Sequence, residues 1–236
     1  MTAHAAGRIV SLFRYPVKSM TSEALDSVEV GWNGLDGDRR WAFIRDGIVN
    51  NGFPWMTIRQ KADMSLYKPR LVEPDRADLS QTVVTTPSGE ELDVVDPALA
   101  AQLGEGVRLI RQTRGIFDAL PLSLISTRTV DALSALTGIP LDPRRFRPNI
   151  VVETFGDDEY PEDQWVGSVI SFGVVKMRVD KRDKRCVITN VDPDSAERDP
   201  VVLRTIQAER ESCLGVYGTT VQPGRLSVGD SVTLES

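Results

Sequence analysis

The chain is predicted to be mainly β with a few helices, arranged as two β-rich lobes. Three observations predict this. Apolar residues recur in short alternating runs, glycine-containing turn dipeptides separate those runs, and only two stretches carry helical signals. At 236 residues the chain is long enough for two modest cores, with a junction expected near residues 105–120.

The first run, Gly7 to Arg14, sets Ile9, Leu12 and Phe13 among polar neighbours. Leu25 to Val30, Arg40 to Ile44 and Thr82 to Thr86 follow the same pattern. Asn33-Gly34, Asp36-Gly37, Asp46-Gly47 and Ser88-Gly89 supply the turns between them. Pro97 to Leu103 suits a short helix, because proline fits a first turn and Gly104 fits a stop. The clearest helix begins at Ser126 or Thr127 and ends at Gly138. Val130, Leu133 and Leu136 recur there at helical spacing, and either hydroxyl can cap the free N–H groups. Ile150 to Glu153, Val169 to Phe172, Val174 to Val179 and Val187 to Val191 then read as strands. Pro223-Gly224 forms a turn before a closing strand, Leu226 to Leu234. Strands of this length with so few helices predict barrel or sandwich cores.

Composition narrows the function. Twenty-eight Lys and Arg stand against 34 Asp and Glu, a net charge of −6 that argues against a general nucleic-acid binder or a polybasic membrane anchor. With one His, in the N-terminal tail at position 4, a Ser-His-Asp triad has no natural base. Two Cys do not furnish a structural zinc site or a disulfide scaffold. No stretch of about 20 apolar residues and no signal peptide is present, so a cytoplasmic protein is expected.

Cys186 follows Lys181-Arg182-Asp183-Lys184-Arg185, four cations and one carboxylate. Cationic neighbours favour thiolate over thiol, the form that attacks electrophiles or binds a soft metal. A free Cys in a surface loop fits the same residues equally well. Arg144, Arg145 and Arg147 form a second cluster, able to clamp an anion or simply to pair with nearby Asp. Lys18 and Ser19, the pair Asp38-Arg39, and the helix start from Ser126 to Thr129 complete the set, each bland alone. Together they describe several anion-binding elements, one cation-flanked thiol and no His-based acid–base machinery. That combination suits a protein that orients an anionic cofactor, which then carries the reaction.

Six stretches in order also resemble the MOSC family, and within it the two-part proteins related to the mitochondrial amidoxime-reducing component. They are YPVKS at Tyr15–Ser19, GLDGDRRW at Gly34–Trp41, RFRPNIVV at Arg145–Val152, RCVITNVDPD at Arg185–Asp194, GVYG at Gly215–Gly218 and PGRLSVGD at Pro223–Asp230. The resemblance implies a β-rich N-terminal domain, residues 1–110, packed on a MOSC β-barrel, residues 111–236, with molybdenum cofactor (a molybdopterin) between them. It implies Cys186 as the protein thiolate on molybdenum and the candidate catalytic residue. Lys18, Ser19, Arg39 and Arg147 would hold the pterin and its phosphate, helped by Ser126 and Thr129, and Tyr217 would line the same pocket. The implied activity is reduction of N-hydroxylated or N-oxide compounds, with a separate reductase or ferredoxin as electron donor, and no nucleic-acid or membrane partner. A non-catalytic cofactor carrier and, further off, a sulfur-transfer protein using Cys186 are the alternatives. The chain departs from its relatives where Lys184 replaces a small Ser, and where Lys181 to Cys186 replaces the K-P-C-E-R-C of many bacterial members.

Overall fold

The structure is a computed structural model that describes residues 4–45 and 53–235; the expected Asp46-Gly47 turn lies outside the described residues. The first half contains β1 (His4–Arg14), β2 (Glu23–Leu25), β3 (Ser27–Gly31), β4 (Gly34–Leu35), β5 (Trp41–Arg45), β6 (Lys68–Leu71), β7 (Thr82–Thr85), β8 (Glu91–Asp93), α1 (Pro97–Leu103) and β9 (Val107–Arg111). The second contains β10 (Leu122–Ser126), α2 (Thr127–Thr137), β11 (Ile150–Thr154), β12 (Val169–Phe172), β13 (Val175–Lys184), α3 (Val201–Arg210), β14 (Cys213–Gln222), β15 (Gly224–Ser227) and β16 (Ser231–Glu235). The molecule is mainly β with a few helices, as the alternating runs predict.

Seven strands close into a barrel in the order β11-β10-β14-β13-β12-β16-β1, and β1 pairs back to β11. Closure pairs the two end strands of this seven-stranded set with each other, so the barrel itself has no open edge. The pair β10–β11 is parallel, because α2 lies between these strands as the crossover. Ile9, Leu12, Phe172, Met177, Val216 and Val232 fill the barrel interior, each at most 1% exposed. A second core of Phe43, Met64, Tyr67, Val84 and Leu99 organises the N-terminal lobe. A third, including Ile125, Leu133, Val202, Ile206 and Leu214, seats α2 and α3 on the barrel. Although β1 comes from the first residues of the chain, it is a barrel strand, so the lobes in space do not follow a single cut in sequence.

Both predicted helices form, with their punctuation. Asp96 accepts from Ala98 N ahead of Pro97, and Gly104 ends α1. Ser126 caps α2, and Gly138 ends it in the left-handed conformation (φ 73°) that glycine takes without steric cost.

Four segments differ from expectation. Val187–Asn190 is a 3-10 turn rather than a strand, because Cys186 O accepts from Thr189 N (3.0 Å) and Thr189 Oγ1 (2.9 Å). That turn drops Val191 into the N-terminal core and hangs Cys186 between the lobes. The strand expected to end at Val179 runs on to Lys184, carrying the cationic run along the barrel wall. Helix α3 was not expected: its β-branched start hides a helical face that buries Val202 and Ile206. The expected closing strand is two. β15 pairs with β3, and after a turn β16 enters the barrel.

Candidate active site

A cavity of about 590 Å³ opens where the two lobes meet. Lys18, Ser19, Arg39, Arg147, Cys186 and Tyr217 all line it, although they come from five separate stretches of chain. Ser126 and Thr129 do not line it.

The cationic wall is assembled by a buried acid. Asp38, 1% exposed, accepts from Tyr15 N through Oδ1 (2.7 Å) and from Asn149 Nδ2 through Oδ2 (3.1 Å), and it ion-pairs with Arg39. Asn149 Nδ2 also donates to Phe13 O (3.2 Å), tying this acid to β1. Arg39 Nη2 then donates to Arg147 O (3.2 Å), and both guanidinium groups lie over the Tyr15 ring, at 4.6 and 4.3 Å from its centroid. Arg147 Nη1 donates to Met20 O (2.8 Å), while its Nη2 is buried with no hydrogen-bond partner. Burial, with Arg39 adding to it, pushes Arg147 down to about 10. A buried guanidinium with a free donor is costly by itself and is satisfied by an incoming anion. Ser19, Arg39 and Arg147 all have positive φ (70°, 50° and 56°), half of the six described non-glycine residues that do. Such conformations persist only where surrounding structure enforces them.

Lys18 is nearly buried and its charge is matched locally. Its Nζ donates to Ile116 O (3.0 Å) and pairs with Asp118. Burial lowers its pKa, and Asp118 works in the opposite direction.

The opposite wall is the end of β13. Its register against β14 shifts between Val179 and Lys181 and again between Arg182 and Lys184. These irregularities break strict in-out alternation, so Lys181, Arg182, Asp183 and Lys184 all line the cavity. The GVYG stretch lets β14 approach closely. A Cβ at Gly218 would sit 2.2 Å from Arg178 O, and one at Gly215 (φ 71°) would sit 2.8 Å from Leu124 O. Tyr217 is thereby set opposite Lys181 and near Asp183, whose carboxyl it helps to pull down.

Cys186 terminates this wall. Arg59 Nη2, from the N-terminal lobe, lies 3.2 Å from its Sγ and donates to it. Arg185 anchors the preceding backbone by donating to Leu214 O (2.8 Å) and Phe146 O (2.7 Å). Cys186 and Cys213 are both free thiols. The Arg144 cluster divides. Arg144 pairs with Asp142 and Asp194, and Arg145 with Asp192, which leaves Arg145 Nε without a partner, whereas Arg147 has no carboxylate partner among the described residues and keeps its terminal Nη2 open.

Ser126 and Thr129 are consumed internally. Ser126 Oγ accepts from Thr129 N (3.0 Å), and buried Glu162 accepts from Ser126 N (3.1 Å) and Thr129 Oγ1 (2.8 Å). Burial raises the pKa of Glu162, and these hydrogen bonds pull it back. The helix start is a cap.

Two residues of functional interest carried too little signal in sequence. Asp183 looked like one carboxylate among cations, yet it is 2% exposed and burial pushes it up to about 6, against the pull of Arg185. Arg185 Nη1 is 2.8 Å from Asp183 Oδ2 without hydrogen-bonding geometry, which leaves that oxygen unpartnered. Arg59 reaches Cys186 from 127 positions away, a contact with no local pattern.

Comparison with known proteins follows the same lines. The MOSC N-terminal beta barrel domain matches residues 6–113 and the MOSC domain matches residues 112–233. Mouse mitochondrial amidoxime-reducing component 1 is 25% identical over 97% of this chain and 82% of its own length. Its human counterpart is 30% identical over 50% of this chain and 37% of its own. Molybdenum cofactor sulfurase of Drosophila mojavensis is 24% identical over 84% of this chain, which spans only 30% of that protein. The crystal structure of the YUAD protein from Bacillus subtilis aligns over 100% of this chain and 98% of its own, with a TM-score of 0.55 at 15% identity, a likeness of fold. Among the described residues no helix is long and apolar enough to cross a membrane.

Proposed function

The chain belongs to the MOSC family, and from that premise we propose that it binds molybdenum cofactor in the interlobe cavity and reduces N-hydroxylated or N-oxide compounds. The observation that carries this reading is the pairing, in one cavity, of a free thiol held by a guanidinium and a buried arginine with an open donor. A soft thiolate suits molybdenum, and the unsatisfied Arg147 Nη2 suits a phosphate oxygen. The names of the amidoxime-reducing relatives support the reaction class.

In this reading Cys186 is the protein ligand, while Lys18, Ser19, Arg39 and Arg147 hold the pterin and its phosphate, and Tyr217 flanks them. When bound, the cofactor supplies two-electron chemistry that removes oxygen from nitrogen. A separate donor provides the electrons, and two protons carry the oxygen away as water. The chain's own contribution is to orient and to hold protons. Arg59 Nη2 donates to the Sγ of Cys186 and so holds the thiol in place at the cavity wall. Asp183, with its carboxyl near 6 and one oxygen unpartnered, is able to keep a proton at the cavity wall in mildly acidic conditions. Tyr217, pushed up to about 12 by burial and by Asp183, stays protonated beside it.

The test is metal and pterin analysis of the purified protein, followed by turnover of benzamidoxime or a hydroxylaminopurine with an artificial reductant. Molybdenum bound at one equivalent with turnover that vanishes in Cys186→Ser is the expected result. Bound cofactor without turnover on either compound would leave a carrier role, and a protein that takes up neither molybdenum nor pterin would refute the reading.

A further inference from the structure

The cavity holds more positive charge than one cofactor phosphate accounts for. Nine Lys or Arg line it against two carboxylates, in a chain whose acids outnumber its bases overall. Most of these cations are already matched: Lys18 by Asp118, Arg39 by Asp38, Arg145 by Asp192, Arg182 by Asp163 and Glu211, and Arg185 by Asp183. Arg147 belongs to the stacked pair over Tyr15, on the side assigned to the pterin phosphate. Three remain. Among the described residues, Lys181 and Lys184 have no side-chain hydrogen bond or ion pair, and Arg59 has no carboxylate within ion-pair distance.

Exposed lysines on a strand are ordinary, and position alone would mean nothing. Here, however, the register shifts of β13 turn both lysines toward the cavity, and Lys184 sits two residues before Cys186. Arg59 approaches the same sulfur from the other lobe. Three cations without an ion-pair partner around one concave site, with Asp118 offsetting Arg59 at longer range, focus a positive potential that an anion relieves.

We infer that Lys181, Lys184 and Arg59 form a second anion subsite beside Cys186, and that it selects N-oxygenated substrates carrying an anionic substituent. The inference rests on the proposed reductase reading for the reaction, but not for the binding. A neutral substrate would leave the three charges unrelieved, whereas an anionic one offsets part of them while its N–O group lies toward Cys186.

The experiment uses three substrates matched in size: benzamidoxime, 4-carboxybenzamidoxime and 4-(aminomethyl)benzamidoxime. With molybdenum-loaded protein at low salt, kcat/KM for the carboxylate should exceed that for the neutral compound by about tenfold, with the cation slowest. The preference should shrink toward parity as ionic strength rises. In the double variant Lys181→Ser/Lys184→Ser the preference should collapse to about twofold or less, with unchanged molybdenum content, and the double Arg variant should restore it. Calorimetry with the unreactive pair benzamide and 4-carboxybenzamide should show the same preference without turnover. If no benzamidoxime is turned over, the reductase reading fails while calorimetry still decides the subsite. Equal affinity for the two benzamides, a preference that survives the double Ser variant, or loss of molybdopterin in place of loss of preference would overturn the inference.

Discussion

The start of α2 and the arginine pair over Tyr15 present the same chemistry to an anion and end differently. At Ser126–Thr129 the hydroxyls and N–H groups are oriented as a phosphate would want them, but Glu162 from the same chain already occupies that place. Around Tyr15 the protein supplies Asp38 for Arg39 and a carbonyl for one nitrogen of Arg147, and then stops, leaving Nη2 bare. Anion-binding capacity therefore depends on what the fold leaves unsatisfied. A helix start whose donors are used is architecture, whereas a buried guanidinium that lines a cavity with a spare terminal donor is a candidate site.

The largest test of this contrast is Glu162→Ala. It strips an acceptor from Ser126 N and Thr129 Oγ1 inside the protein, and should cost about 3–4 kcal/mol of stability in chemical denaturation, with no specific loss of cofactor affinity. A variant of wild-type stability that had lost its pterin would reverse the assignment of the two regions. Arg147→Ala should do the opposite. It removes an open donor, so molybdopterin retention at limiting cofactor should weaken by about 1–3 kcal/mol, or roughly fivefold to 150-fold. Equal pterin content in wild type and variant would count against it.

Asp183 sharpens the comparison, being a buried acid like Glu162 with fewer donors. Its carboxyl is raised from 3.8 to about 6, so the folded chain keeps a proton that the unfolded chain releases. Stability then falls as pH rises from about 4 to about 6, and the full cost is present above that range. Asp183→Asn in the cofactor-free protein should match wild type below pH 4 and exceed it by about 3 kcal/mol near pH 7, read from urea midpoints across pH. A constant difference at every pH would show that the carboxyl does not titrate in this window. The smallest effect belongs to Cys213→Ser, expected within about 0.5 kcal/mol of wild type and with unchanged molybdenum content. Iodoacetamide should modify Cys186 faster than Cys213 in the cofactor-free protein, since Arg59 stands over its sulfur. The reverse order would place the reactive thiol elsewhere.

Local physics made much of this molecule readable in advance. Alternating runs became barrel strands because a half-buried strand needs period two, and α2 appeared with its Ser126 cap and Gly138 stop because helix ends must satisfy their free groups. The six ordered motifs identified the family, and six of the eight residues they implicated line one cavity. Local pattern failed where a long-range contact decides. Val187–Asn190 has a strand's composition but turns on the Cys186 carbonyl, and the β-branched start of α3 conceals a helix seated on the barrel. No spacing reveals that Glu162 closes the helix start, that Arg59 crosses 127 residues to Cys186, or that Asp183 loses its water. The sequence by itself determined which groups were available to bind an anion and a metal. Only the tertiary structure decided which of them stay free, because satisfaction of a buried donor depends on partners brought from distant parts of the chain.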